Sequence, residues 1–162
     1  MMRLKISQLA WPRLGLKLAA GILIWIHLTA IGPFERLPGG RLAGPVQEQP
    51  ITDWRFVSSA GRCAVEVRPL YPHSVTVNCW HDDGQLYVGC MRCEGKVWSD
   101  YIKRWPDARI MIAGNIYPVR FARVMPSAEA VQSWHARWLA LGRSLPVGPV
   151  PDHYWLFRVA SR

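Results

Sequence analysis

The chain has 162 residues, enough for one domain of ordinary size, with 50% hydrophobic residues and a formal net charge of +9. About half of the excess positive charge lies in residues 1–45, and no stripe of lysine and arginine follows any predicted helix or strand. This distribution favours a membrane-related protein and argues against a nucleic-acid partner. The motifs of P-loop, dinucleotide-binding, serine-hydrolase and zinc-protease sites do not occur, so nothing supports hydrolytic chemistry.

An uncharged apolar run extends from Leu18 to Phe34. Extended back to Leu14, it reaches the ~20 residues that a membrane-spanning helix needs. Four cations precede the run, which favours a cytoplasmic N-terminus. We therefore expect residues 14–34 to be a single-pass anchor in the cytoplasmic membrane, with the following domain on the outer, periplasmic side. A cleaved signal peptide and a helix buried in a complex are the alternatives.

Composition divides the chain into four regions. A basic tail (1–13) precedes the expected anchor (14–34), and a segment rich in proline and glycine (35–51) is typical of a linker. The remaining residues, 52–162, form the predicted folded domain.

This domain is predicted to contain seven short strands and two helices. Alternating or β-branched runs predict the strands, and Asp82-Asp83-Gly84 predicts a tight hairpin turn. Ser127 is the expected N-cap of the second helix, whose apolar stripe is Val131, Trp134, Trp138 and Leu141. The predicted strands are 54–58, 63–68, 74–81, 85–90, 108–113, 116–124 and 154–159, and the helices are 96–104 and 127–141.

Strands joined mainly by hairpins predict an antiparallel sheet. Because closure removes exposed edges from short strands, we expect a small barrel of six or seven strands with the second helix on its outside.

The loop from Gly89 to Trp98 contains the most distinctive residues of the domain. Its Cys90-x-x-Cys93 pair is compatible with a disulfide, a redox dithiol near the start of a helix, or part of a zinc site. Zinc would need further ligands, and Cys79 with His81 is the available pair. Inert thiols, and disulfides Cys90–Cys93 or Cys63–Cys79, complete the alternatives.

Cations in this loop suit an anionic ligand. Arg92 and Lys96 flank Gly95 just before the first predicted helix, where a phosphate would gain from both charges. Arg68, next to a Pro-Leu-Tyr-Pro turn, is a second candidate. Trp98 follows the cationic loop directly and is a candidate for cofactor or substrate contact.

The order of elements and several local strings resemble the FMN-binding split-barrel superfamily, which includes pyridoxamine-phosphate oxidases and deazaflavin-dependent nitroreductases. The resemblance covers about residues 52–161. The strings that carry it are Val65–Pro69 with Ser74–Val77, Gln85–Val88, Arg92–Lys96, Trp98–Tyr101, Trp105–Arg109 and Gly114–Arg120.

The resemblance implies a split barrel that binds FMN or a deazaflavin and transfers electrons or hydride. It implies that Arg92 and Lys96 approach the cofactor phosphate and that Ser74, Thr76 and Asn78 line the flavin site, Ser74 and Thr76 by bonding the ring or ribityl chain. We expect Arg68 to join the phosphate contacts and Trp98 to form one wall of the site. The resemblance also implies a homodimer.

Two other functions are compatible with the sequence. The domain could be a non-catalytic accessory subunit of a larger membrane complex, with no cofactor, docking through its barrel. A haem-binding variant of the same barrel would use His73 or His81 as its ligand.

Overall fold

The computed structural model describes residues 17–19, 21, 32–57 and 61–162. Residues 1–30 and 31–162 are two separate units. The predicted basic tail and almost all of the predicted anchor lie outside the described residues. Within the described ranges, no helix has the length and hydropathy needed to span a bilayer.

The second unit contains six strands and two helices, and most lie within two residues of their predicted bounds. The predicted turn at Asp82–Gly84 joins the second and third strands, and Gly84 adopts the positive φ (81°) that such a turn requires. The elements are β1 (Arg62–Val67), β2 (His73–Asp82), β3 (Gln85–Met91), α1 (Val97–Arg104), β4 (Asp107–Ile112), β5 (Asn115–Val124), α2 (Ala128–Ala140) and β6 (Tyr154–Ser161).

The strands form a closed antiparallel barrel in the order β1-β2-β3-β6-β5-β4. Closure occurs between β1 and β4, where Val65 lies opposite Ile110. The predicted antiparallel barrel of six or seven strands is therefore confirmed, and it has six.

The predicted first strand, Trp54–Ser58, is wrong over its described residues. Residues 54–57 form a turn in which Val57 N donates to Trp54 O. Asp53 Oδ1 accepts from Arg55 N at 2.9 Å, a local bond that favours a turn over a strand. Trp54 and Val57 are buried because they pack into the barrel core.

Alternation of side chains separates the inside of the barrel from its outer face. On β3, Leu86, Val88 and Cys90 belong to the main core, while Tyr87 belongs to a second cluster on the outside. Trp98 and Ile102 of α1 also join the main core, so this short helix is anchored firmly beside β1 and β2.

Helix α2 packs on the outer face, as expected. Ser127 is its N-cap and accepts from Ala130 N, and Trp80 Nε1 donates to Ser133 O at 3.1 Å. The predicted apolar stripe is wrong at both ends, because Val131 and Leu141 are exposed. The helix meets the barrel through the buried Ala130 and Trp134, and Ala136, Trp138 and Ala140 pack against the same cluster.

The segment predicted as a linker packs against the barrel over part of its length. Gly39 and Ser74 exchange two backbone hydrogen bonds of 2.9 Å, and Gln47 N donates to Ile116 O. Leu42 is buried, and its N–H donates to the buried carboxylate of Glu66 at 2.5 Å. This contact fixes residues 32–47 on the barrel surface.

Candidate functional site

A cavity of about 420 Å³ opens on the outer face of β2 and β3, beside the loop that leads to α1. Thr76 and Asn78 reach it because they alternate with Val75, Val77 and Cys79, which pack inward. The 35–36 turn of the N-terminal segment closes one side. The lining residues are Glu35, Arg36, Arg62, Thr76, Val77, Asn78, Gly89, Cys90, Met91, Lys96 and Trp98.

The charge of this cavity is mainly positive. Arg36, Arg62 and Lys96 contribute three cations, against the single carboxylate of Glu35. Lys96 Nζ donates to Met91 O at 3.0 Å and to Cys90 Sγ at 3.8 Å, which holds the ammonium group at the wall and leaves one of its protons for a ligand. The site can therefore receive an anion through charge-assisted hydrogen bonds.

One wall of the cavity is the loop 90–96, which is tied in several places. Ser99 Oγ donates to Cys93 O at 2.6 Å, and Lys96 N donates to the same carbonyl. Arg92 and Gly95 both have positive φ, 48° and 74°. The loop is therefore a compact turn that places Lys96 beside the end of β3.

The four cysteines form two disulfides, Cys63–Cys79 and Cys90–Cys93. A zinc site would need free thiolates, so the zinc alternative with Cys79 and His81 does not describe this state. Within the described part of the chain, no group of three or more histidine, cysteine or acidic side chains could hold a metal ion.

Three of the six predicted site residues come together here: Thr76, Lys96 and Trp98. Trp98 is buried, and its ring centroid lies 5.5 Å from that of Phe157, so the indole is a rigid part of the wall. Thr76 offers a hydroxyl and Lys96 a cation, in keeping with the polar and phosphate contacts expected of them.

The other three predicted site residues lie elsewhere. Arg68 lines a different, smaller cavity of about 170 Å³ and lies over the ring of Tyr71, 5.3 Å from its centroid. Ser74 is fully buried where its backbone pairs with Gly39. Arg92 is exposed on the far side of the loop, and its N–H donates to His153 O.

Sequence reasoning missed Arg36 and Arg62 as cavity residues. Arg62 precedes a clearly predicted strand, so its place at the strand end was open to inference. Asn78, expected at the site from the resemblance, does line the cavity, because it follows Thr76 by two residues and so shares its face. Nothing local indicates Arg36, because a fold-back of the segment expected to be a linker brings it to the site.

The proposed haem ligands have contrasting surroundings on β2. Burial lowers the pKa of His73, and the nearby Arg68 cation lowers it further. His81 Nδ1 is buried without a hydrogen-bond partner among the described residues. Neither histidine lines the cavity described above.

Comparison with known proteins gives structural similarity only. No family model matches the chain, and no curated protein matches it by sequence. A Listeria innocua protein provisionally assigned as a pyridoxamine 5'-phosphate oxidase is similar in structure with a TM-score of 0.49 and 11% identity, over 62% of this chain and 82% of its own. General Stress Protein 26 of Bacillus anthracis is similar with a TM-score of 0.45 and 18% identity, over 62% of this chain and 78% of its own.

A pyridoxamine 5'-phosphate oxidase-related, FMN-binding protein of Nostoc punctiforme gives a TM-score of 0.43 and 17% identity, over 63% of this chain and 71% of its own. All these similarities are too low to carry an argument about family, cofactor or activity. Any function proposed for this chain therefore depends on its own barrel and cavity.

Proposed function

We propose that this protein binds a phosphate-bearing flavin, FMN or a deazaflavin, in the cavity beside β2 and β3 and acts as an oxidoreductase. The observation that carries the proposal is the convergence of Arg36, Arg62 and Lys96 on one cavity of about 420 Å³. That volume lies in the range typical of small-molecule sites.

The residues present fit the two ends of such a ligand. The three cations suit a phosphate, since arginine offers a planar pair of donors and lysine a point charge. Thr76 and Asn78 offer hydroxyl and amide groups for the polar edge of a ring or for a ribityl chain. Trp98 supplies a rigid apolar wall. When bound, the flavin itself would supply the redox chemistry, and these side chains would position it.

The test is a titration of the purified full-length protein with FMN or a deazaflavin. Quenching of the cofactor fluorescence measures binding. Lys96→Gln and Arg62→Gln should each weaken FMN binding about ten- to a hundred-fold, which is the value of a charge-assisted hydrogen bond. Riboflavin, which has no phosphate, should bind more weakly than FMN and be insensitive to both changes.

Arg68→Gln is the matched control, because Arg68 lines the other cavity. It should leave FMN affinity unchanged. Failure of both cofactors to bind would refute the proposal, and a loss with Arg68→Gln but not with Lys96→Gln would move the phosphate to the other cavity.

The proposal includes attachment to the cytoplasmic membrane through residues 14–34, with the barrel on the periplasmic side and the protein a homodimer or a complex subunit. Its support is the apolar run and the cations before it. Fractionation of cells should recover the protein with membranes after a high-salt wash. Recovery in the soluble fraction would contradict this part.

The second candidate is a non-catalytic accessory subunit. It is favoured by a groove along α2 whose lining includes the exposed Val131 and Leu139 together with Ala128 and Ala136. If the protein is recovered without a cofactor and in fixed stoichiometry with a membrane complex, that result would support this alternative over the first. Val131→Asp with Leu139→Asp should then release the protein from that complex.

A further inference from the structure

We propose that the Cys90–Cys93 disulfide is a thiol–disulfide exchange site that accepts electrons from a dithiol, with Cys90 as the exchanging sulfur. This goes beyond the proposed flavin binding and does not depend on it. The proposal rests on the position of this disulfide in the wall of the cavity, next to the ammonium group of Lys96.

The two sulfurs of this disulfide differ in access. Cys90 lines the cavity and retains 5% exposure, whereas Cys93 has none and lies under α1. Exchange requires in-line approach of a thiolate to one sulfur. The cavity provides that approach for Cys90, so Cys93 is the sulfur that leaves.

The charge around Cys90 favours its thiolate. Lys96 Nζ lies 3.8 Å from Cys90 Sγ and also donates to Met91 O, a carbonyl 4.0 Å from that sulfur. A neighbouring cation lowers the pKa of a thiol and so stabilises the reduced form in which Cys90 is an anion. Lys96 acts here as a positioning residue for the charge of Cys90.

The second disulfide provides the contrast within the same molecule. Cys63 and Cys79 have 3% and 0% exposure, so the two disulfides differ little in burial, and Cys63 lines a separate cavity of about 300 Å³. The difference is the charge beside the sulfur, because Cys79 Sγ lies 3.6 Å from Gly61 O, whereas Cys90 Sγ lies 3.8 Å from the Lys96 ammonium group. We therefore expect exchange at Cys90–Cys93 and retention of Cys63–Cys79.

The exchange conserves atoms and electrons. A thiolate of the dithiol attacks Cys90 Sγ, the Cys90–Cys93 bond breaks, and Cys93 leaves as a thiolate that takes up a proton. The second thiol of the donor, after losing its proton, attacks its own sulfur in the mixed disulfide and releases Cys90 as a thiolate beside Lys96. Two electrons pass to the protein, and the dithiol becomes a disulfide.

The first experiment reduces the folded full-length protein with dithiothreitol or with a reduced thioredoxin, stops the reaction with acid, then alkylates the denatured protein and maps the labelled cysteines by mass spectrometry. Labelling of Cys90 and Cys93, with Cys63–Cys79 intact, supports the proposal. The more effective donor identifies a small or a protein dithiol as the source. The proposal would be overturned if both disulfides are reduced at the same rate, or if neither is reduced unless denaturant is added.

The second experiment tests which sulfur exchanges. Cys93→Ser should form a mixed disulfide with oxidised glutathione at Cys90, whereas Cys90→Ser should leave Cys93 unmodified in the folded protein. Equal trapping by both variants, or trapping at Cys93 alone, would refute the assignment.

The third experiment tests the lysine through the pH profile of Cys90 alkylation in the Cys93→Ser background. Adding Lys96→Gln should move the midpoint to higher pH by about one unit, which slows alkylation at neutral pH about ten-fold. Lys103→Gln is the matched control, because its ammonium group lies over Trp155 instead. An unchanged profile with Lys96→Gln would remove Lys96 from the proposal.

Discussion

Glu66 is the residue on which attachment of the N-terminal segment depends most directly. Its buried carboxylate accepts from Leu42 N at 2.5 Å and from Arg109 Nη2 at 2.6 Å. Both donors come from distant parts of the chain, so one side chain joins the segment, β1 and β4.

We predict that Glu66→Ala lowers the free energy of unfolding by about 3 kcal/mol, since breaking a largely buried pair leaves the partner charge uncompensated. Urea denaturation would measure it. The matched control is Arg120→Gln, which breaks a solvent-exposed pair with Asp107 and should lower the free energy of unfolding far less. Equal losses in the two variants would contradict the buried role of Glu66.

Tyr154 carries a hydroxyl that the fold does not use. Its Oη is buried without a hydrogen-bond partner among the described residues, and burial raises the pKa of this phenol. The ring itself packs against Trp134 with centroids 4.5 Å apart.

We predict that Tyr154→Phe raises the free energy of unfolding by about 1 kcal/mol, because it removes an unsatisfied buried group and keeps the ring. Tyr87→Phe is the opposite case, because Tyr87 Oη donates to Glu129 Oε1 at 3.0 Å. This change should lower the free energy of unfolding by a similar amount. Thermal unfolding of both variants would check the signs, and a stability loss in Tyr154→Phe would contradict the prediction.

At this scale, the sequence predicts residues whose surroundings are local and misses those whose partners are distant. Lys96 and Trp98 were found because they follow a strand and begin a helix. The role of Glu66 was missed, because it depends on Leu42 and Arg109, both more than twenty residues away. Ser74 was misplaced because its burial results from a pairing with Gly39.

Among the elements, α2 has the simplest attachment that can be tested. Beyond its apolar contacts, Glu129 at its first turn accepts from Arg158 Nη2 at 2.6 Å on β6. The hydrogen bonds that Glu129 accepts from Arg158 and Tyr87 lower the pKa of its carboxyl group, and the bond from Arg158 is the larger cause. Because the folded-state pKa is depressed, this stabilisation is present above the usual carboxyl pKa and is lost as pH falls through the folded value.

We predict that Glu129→Gln loosens α2 at neutral pH and that the unchanged protein shows the same loosening only on acidification below the usual glutamate pKa. The pair is partly exposed, so the change should be under about 1 kcal/mol. Hydrogen exchange of α2 amides would measure it. Asp100→Asn, which breaks a pair within α1, should leave α2 unchanged.

Element prediction succeeded where side-chain periodicity was clear and failed where a tertiary contact decided the conformation. The strands equivalent to β1–β6 follow alternation and hairpin turns that the sequence shows directly. The 54–58 segment is apolar like a strand, but Asp53 and Gly84 hold it as a turn: Trp54 N donates to Gly84 O. The α2 stripe was overestimated because Val131 and Leu141 at its ends are exposed.

Across the whole molecule, the two disulfides constrain chain segments of very different length. Cys63–Cys79 joins residues 16 apart across β1 and β2, whereas Cys90–Cys93 closes a separation of three. In the loop-entropy account, the longer closure stabilises by about 3 kcal/mol and the shorter one by about 2 kcal/mol. The barrel should therefore depend more on the first.

We predict that replacing both Cys63 and Cys79 by alanine lowers the thermal midpoint more than the same change at Cys90 and Cys93, since the first pair closes the longer chain segment. Differential scanning calorimetry of the two double variants would measure the order. The circular dichroism of the Cys90/Cys93 variant should remain that of the native barrel, since that pair joins the end of β3 to the following loop rather than one strand to another. A larger loss from the Cys90/Cys93 change would mean that the cavity loop, and not the β1–β2 bridge, limits the stability of the barrel.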